Sequence, residues 1–165
     1  YDTDFRSVMP TNLYGINDNF HIENSHVIPA LMHKFHNAKI NGDSKVVVWG
    51  TGNAMREFLY VDDMAEASLF VLNLSEESYK KNTKETLSHI NIGTGVEVAI
   101  RNVAKIMKNI VGFKGEIVFD DSYPEGPPRK LVDISRLTNM GWQHKTKVED
   151  GLVTTYRWFV SKNNI

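Results

Sequence analysis

Val46-Val47-Val48-Trp49-Gly50-Thr51-Gly52-Asn53-Ala54-Met55-Arg56-Glu57-Phe58-Leu59-Tyr60-Val61-Asp62-Asp63 reads as two β-rich runs joined by a glycine-rich loop. Gly50 and Gly52 let the backbone take positive φ or pass close to a ligand. Arg56 opens the second run, so its fork of donors reaches back over the loop, a geometry suited to phosphate or carboxylate. Trp49 offers a flat apolar face and one N–H donor, which suits a stacked base or sugar. An ordinary β-turn with a core tryptophan and a surface arginine has the same pattern, and spacing does not separate the two.

Working outward, the run Ser7-Val8-Met9 is strand-like and stopped by Pro10, and Leu13-Tyr14-Gly15 leads into a polar loop over 16–24. A helix is predicted next, capped by Ser25, with Pro29 in its first turn and Val27, Ile28, Leu31, Phe35 and Ala38 on one face. Asn41-Gly42-Asp43-Ser44 ends it. Beyond the opening stretch, Asp62 or Asp63 caps a helix through Leu74 that is apolar enough to be largely buried. Residues 75–88 are charged and read as a solvated loop with a frayed helical turn. Ile90-Asn91-Ile92 is a strand, 99–111 a helix lacking a good cap, Glu116-Ile117-Val118-Phe119 a strand, and 120–128 a Pro/Gly loop. Asp133 caps a short helix ended by Gly141. Thr146 with Glu149 forms a capping box for a last helix whose Leu152, Tyr156, Phe159 and Val160 face inward. Strands alternating with helices make an α/β domain.

The 165 residues are 41% apolar, enough for one ordinary core. A formal net charge of −1 argues against the basic surface that phosphate-dominated nucleic-acid binding needs. No run is long and apolar enough for a membrane span, and no signal-peptide pattern opens the chain. Zero cysteines exclude disulfides and thiolate metal sites and are compatible with a reducing cytosol. The chain opens on Tyr1 and reads as a piece of a longer protein.

Metal binding is not expected: no His-Glu-x-x-His occurs, and His33 and His36 read as solvated residues of a helix face. His26 sits at a helix start, where the dipole favours anions, and an imidazole titrating near neutrality is a candidate proton donor. Gly50-Thr-Gly52 and Gly93-Thr-Gly95 each lack the third glycine of a dinucleotide fingerprint, and no Tyr-x-x-x-Lys is present. Cationic and aromatic groups do gather in and around loops: Lys34, Trp49, Arg56, Arg129 and Lys130. Pro127-Pro128 stiffens the approach to the last two, toward a diphosphate or simply toward solvent.

Pro10-Thr-Asn-Leu-Tyr-Gly15, Asp18-Asn-Phe-His21, Asn24-Ser-His-Val-Ile-Pro-Ala-Leu31, 46–63, Ile90-Asn-Ile-Gly-Thr-Gly95 and Pro128-Arg-Lys-Leu131 together resemble the GDP-L-fucose synthase family of extended short-chain dehydrogenase/reductases. The resemblance runs over nearly the whole chain and is to the family's C-terminal, substrate-binding half. It implies an α/β fold in which residues 1–25 and 89–95 return to a Rossmann domain whose main part lies before Tyr1. It implies NADP (NADPH) as cofactor, contacted by Pro10, Thr11, Asn12, Leu13 and His26, with His26 also the catalytic acid of epimerisation. Lys34, Trp49, Arg56, Glu125 and Lys130 fall where the family contacts the GDP-sugar. A cytoplasmic homodimer is implied for the whole protein, which would invert C3 and C5 of a 4-keto sugar and then reduce C4. Lys34 stands where an arginine is familiar, and Glu125 lies in a loop that departs from the family pattern. A reductase of another GDP-6-deoxy-4-keto sugar such as a heptose therefore stays open, as does a non-catalytic sugar-nucleotide-binding module.

Overall fold

The computed structural model describes residues 3–21, 24–84 and 86–162. Expectations for residues 22–23, within the first polar loop, and for residue 85, within the charged segment, lie outside the described residues. In chain order the elements are β1 (Val8–Pro10), β2 (Asn12–Tyr14), α1 (Val27–Asn41), β3 (Lys45–Trp49), β4 (Met55–Tyr60), α2 (Val61–Leu72) and α3 (Glu76–Asn82). Then follow β5 (Ile90–Ile92), β6 (Glu97–Ala99), α4 (Ile100–Val111), β7 (Glu116–Asp120), β8 (Arg129–Lys130), α5 (Ser135–Asn139) and α6 (Val148–Lys162). This is the α/β alternation expected.

The two runs of the opening stretch, β3 and β4, do not pair with each other. β3 pairs in parallel with β7, Val47 opposite Val118. β4 is the hub of another sheet. Its C-terminal half runs parallel to β2, with Phe58 opposite Asn12. Its N-terminal half lies between antiparallel β6, with Arg56 opposite Val98, and parallel β8, with Arg56 opposite Lys130. β1 and β5 form a separate parallel pair. Pro10 does not stop β1 but ends it. Thr11 N–H, the next donor along, bonds Ile92 O at 2.9 Å, so the ring's missing N–H leaves no partner on β5 stranded.

Two apolar clusters carry the packing. One joins α1, α4 and α6 over β3 through Leu31, Phe35, Val46, Val103, Met107, Leu152 and Phe159. The other joins Leu59, Ala67, Val71, Tyr79, Ile90, Ile92 and Leu137 beneath the β1–β5 pair.

Several local expectations need correction. Ser25 does not cap α1: His26 holds the N-cap position without a side-chain cap bond, and the buried Ser25 hydroxyl finds no partner among the described residues. Neither Asp62 nor Asp63 caps α2, whose N-cap is Tyr60. Asp63 is buried and turned away, accepting the N–H groups of Lys145 (3.3 Å) and Thr146 (2.9 Å) ahead of α6. With its N–H given to Asp63, Thr146 is not the reciprocal half of a capping box with Glu149. Nor is α2 largely buried, since Leu69 and Leu72 face out. The charged segment forms a true helix, α3, capped by the Ser75 hydroxyl, because its one aromatic, Tyr79, packs into the second cluster. His36 is not solvated either. It is buried against Phe159, with Nδ1 3.0 Å from the Tyr156 hydroxyl, while His33 Nδ1 lies 3.0 Å from Phe20 O. The helix carries an imidazole on its core face because α6 supplies it a polar partner.

Candidate functional site

A cavity of about 510 Å³ opens between the β1–β2 segment and the start of α1. Its lining includes Pro10, Thr11, Asn12, Leu13 and His26, so all the residues expected at a cofactor are brought to one place. Leu13, Ile16, Val27 and Ile28 make its apolar wall. Thr11 and Asn12 present backbone there more than side chain: the hydroxyl of Thr11 (3.4 Å) and the amide of Asn12 (2.7 Å) both donate to Glu57 O. His26 is exposed at the N-cap of α1, whose first intrahelical bond is Ala30 N–H to His26 O at 2.9 Å. The backbone N–H groups ahead of Ala30 have no carbonyl of the helix to bond, which gives this end its partial positive charge.

The second group forms around the loop between β3 and β4. Lys34, reaching from α1, donates to Val47 O at 3.2 Å and sets its ammonium 4.5 Å from the centroid of the Trp49 ring. Burial of its stem holds that ammonium below the usual lysine range. Trp49 remains 55% exposed and is stacked by Tyr123, ring centroids 4.6 Å apart and 5° from parallel. Arg56 and Lys130 lie side by side on paired strands. Arg56 donates to Met55 O (2.8 Å) and to Glu125 O (2.9 Å).

The glycine loop does hold an anion, and the anion is internal. Glu125 Oε1 accepts from the Thr51 hydroxyl at 2.7 Å and Gly52 N–H at 2.9 Å. The Thr51 hydroxyl, with backbone N–H groups behind it, holds the carboxyl below the usual carboxylate range. Gly50 has φ +80°, and a Cβ there would stand inside the Glu125 side chain. Arg101 ties the loop down, donating to Thr51 O at 2.9 Å. Arg129 does not join Lys130 at the site: its side chain pairs with Glu97 at 2.6 Å.

Three further residues matter that the sequence did not single out. Tyr123 covers Trp49, Arg101 fixes the loop, and buried Glu57 gathers Thr94 N–H (2.6 Å), Gly95 N–H (2.7 Å) and Val132 N–H (3.1 Å). Each contact spans 37 or more positions, so no spacing could announce it. The cavity and the Trp49–Arg56 group share strand β4: Phe58 lines the cavity, and Arg56 stands two residues earlier on the same face. Among the described residues, no three His, Asp or Glu side chains gather as a metal cluster, and no helix is long and apolar enough to cross a membrane.

Residues 1–93 match the profile of the NAD dependent epimerase/dehydratase family. The chain is 54% identical over 164 residues to the GDP-L-fucose synthase of Escherichia coli (strain K12), which covers 99% of this chain and 51% of that protein. Among solved structures it resembles a GDP-6-OMe-4-keto-L-xylo-heptose reductase from C. jejuni, with TM-score 0.89 and 35% identity over 99% of this chain and 56% of that one. It also resembles a GDP-L-fucose synthetase from Naegleria fowleri bound to NADP, with TM-score 0.84 and 33% identity over 97% and 48%. The chain spans about half the length of the curated relatives it matches.

Proposed function

The chain belongs to the NAD dependent epimerase/dehydratase family, and on that premise we propose that it is the GDP-sugar-binding half of an NADPH-dependent GDP-L-fucose synthase. The reaction converts GDP-4-keto-6-deoxy-D-mannose to GDP-L-fucose by inversion at C3 and C5 and reduction at C4. The observation that carries the reading is the joining, through β4, of a His26-lined cavity to a cationic and aromatic group at Trp49, Arg56 and Lys130. The 54% identity to a GDP-L-fucose synthase supports the choice of sugar.

In this reading Trp49 stacks on the nucleotide while Arg56, Lys130 and Lys34 face its phosphates, fixing the sugar against the cavity by remote binding energy. The ketone acidifies the protons at C3 and C5, so that a base on one face takes each of them while His26, exposed at the cavity wall, returns a proton from the other. Apolar Leu13, Ile16, Val27 and Ile28 exclude water around a flat ring, and the uncapped start of α1 favours a phosphate beside it. These features fit a dinucleotide. NADPH bound there supplies the hydride that reduces C4. The β1–β5 pair, joined among the described strands only to itself, belongs in this reading with the sheet of the dinucleotide domain, so that Val8–Pro10 of the expected 1–25 and Ile90–Ile92 of the expected 89–95 return to it, while β2 stays with β4. A cytoplasmic homodimer is part of the same proposal.

The test is incubation of the full-length protein with GDP-4-keto-6-deoxy-D-mannose and NADPH, with the product identified by NMR. GDP-L-fucose is the expected product. A 4-reduced sugar without inversion at C3 and C5, or turnover of a 4-keto-heptose alone, would favour the second reading. That reading, a GDP-heptose reductase, is supported by the TM-score of 0.89 to such an enzyme.

A further inference from the structure

Arg56 and Lys130 are brought side by side by the shortest of the described strands. β8 is two residues long, exposed, and pairs with β4. Lys130 is its last residue, so the place of its ammonium is set by the backbone beneath it. That backbone is held at two points outside the ladder. Ahead of β8, Pro128 O accepts Met55 N–H at 2.9 Å. After it, Val132 N–H donates to Glu57 Oε2 at 3.1 Å.

Glu57 follows Arg56 on β4 and is fully buried, its side chain leaving the strand on the face opposite to Arg56. Its Oε1 is committed to the Gly93-Thr94-Gly95 turn, accepting Thr94 N–H at 2.6 Å and Gly95 N–H at 2.7 Å. Oε2 is left for Val132. Holding both segments at once needs an acceptor at each end of the group, which a carboxylate has and a carboxamide lacks. A glutamine in this place would set its own N–H donors against one of the two.

We infer that Glu57 is a positioning residue for the nucleotide's phosphates: by gripping Val132 it holds β8 in register with β4 and so sets Lys130 beside Arg56. The inference rests on the functional reading above, in which Arg56 and Lys130 face those phosphates. With Val132 released, β8 keeps its anchor at Pro128 and only two residues of ladder, and the cost of ordering Lys130 falls on binding. A loss of the size of one hydrogen bond lowers GDP affinity about three- to tenfold. Glu57 acts through Lys130 without touching the ligand. Its carbonyl, which takes the side chains of Thr11 and Asn12 at the cavity, stays in place when the side chain is changed, so affinity for NADPH is unaffected.

Calorimetric titration of GDP, and separately of NADPH, into the full-length protein and its Glu57→Gln, Lys130→Ala and doubly substituted forms tests this. Glu57→Gln is expected to weaken GDP binding about three- to tenfold, to leave NADPH binding as it is, and to add nothing once Lys130 is replaced. A general loosening of the fold would not give that non-additivity. Unchanged GDP affinity in Glu57→Gln, an equal loss with and without Lys130, or a matching loss of NADPH affinity overturns the inference and leaves the functional reading standing. Unchanged GDP affinity in Lys130→Ala takes Lys130 off the phosphates and overturns that placement together with the inference. Where circular dichroism shows Glu57→Gln unfolded, Val132→Pro removes the same bond from its donor side, and the same outcomes decide.

Discussion

Glu57 lies between the cavity and the Trp49–Arg56 group, fully buried on β4, and no side-chain cation answers its charge among the described residues. Backbone N–H groups of Thr94, Gly95 and Val132 do so instead, fastening the Gly93-Thr94-Gly95 turn and the chain after β8 to the strand that carries Arg56. Gly93 is required because a Cβ there would stand inside this carboxylate. Both Gly-Thr-Gly turns thus wrap a glutamate of the same chain, Glu57 in one and Glu125 in the other. Glu57→Ala leaves three part-buried donors, the N–H groups of Thr94, Gly95 and Val132, without their acceptor, which costs about 1–3 kcal/mol in all. Urea unfolding monitored by circular dichroism checks this, and a loss below 1 kcal/mol would show that water satisfies those donors. His36 supports a second expectation. Burial first, then the nearby Lys39 and His33 charges, hold its imidazole below the ordinary histidine value of 6.5. The unfolded chain therefore binds the proton more readily than the fold, so this stability is fully present above 6.5 and is lost as pH falls from there toward the lowered folded value. Urea midpoints should fall between pH 7 and pH 5, and less steeply in His36→Gln, which keeps an acceptor for the Tyr156 hydroxyl. Equal slopes in the two proteins would remove His36 as the cause.

At the scale of elements, what the sequence showed and what it hid divide along one physical line. α1, β3, β4, α4, β7 and α6 were legible because apolar period and glycine punctuation are local signals, and Gly42 and Gly112 do end their helices in the left-handed conformation. β6 and β8, three and two residues long, were not legible, since they exist only as partners of β4. Helix starts misled for a related reason. Ser25, Asp62 or Asp63, and Thr146 have the residue types of local caps, but the fold places Asp63 across from the approach to α6 and leaves α1 uncapped at the cavity. The site shared this fate: Trp49, Arg56 and Lys130 stood out as residue types, whereas Tyr123 over Trp49 is a contact between the end of β3 and the loop after β7, 74 positions apart. Since Asp63 joins α2 to α6, Asp63→Ala should lower stability by about 2 kcal/mol through two lost charge-assisted bonds. Thermal unfolding would read this loss. A loss confined to fraying of α2, seen by hydrogen exchange with α6 untouched, would mean that the bonds to Lys145 and Thr146 contribute little.

Across the whole molecule, the proposed function divides binding and chemistry between different lengths of polypeptide. The Trp49–Arg56 group is built wholly from elements of this chain: α1 brings Lys34, β3 Trp49, β4 Arg56 and β8 Lys130. All four elements pack on or pair with neighbours inside the 165 residues. The cavity is different. On its described lining the side-chain donors of Thr11 and Asn12 are taken by Glu57 O, and the sequence holds neither a Tyr-x-x-x-Lys pair nor a dinucleotide glycine fingerprint. In the proposed reading proton delivery to a reduced C4 oxygen needs a donor beside the hydride acceptor; on the described wall Tyr14 gives its hydroxyl to Val148 O, and His26, which lines it with Asp18, is assigned to C3 and C5. The 165-residue chain by itself should therefore bind GDP in calorimetry while leaving NADPH absorbance unchanged in the presence of a 4-keto GDP-sugar. Measurable NADPH oxidation by the purified chain would place the reductive chemistry within these residues and overturn the division. Loss of GDP binding in a chain that still shows its helical circular dichroism would instead mean that the nucleotide group is completed by residues outside it.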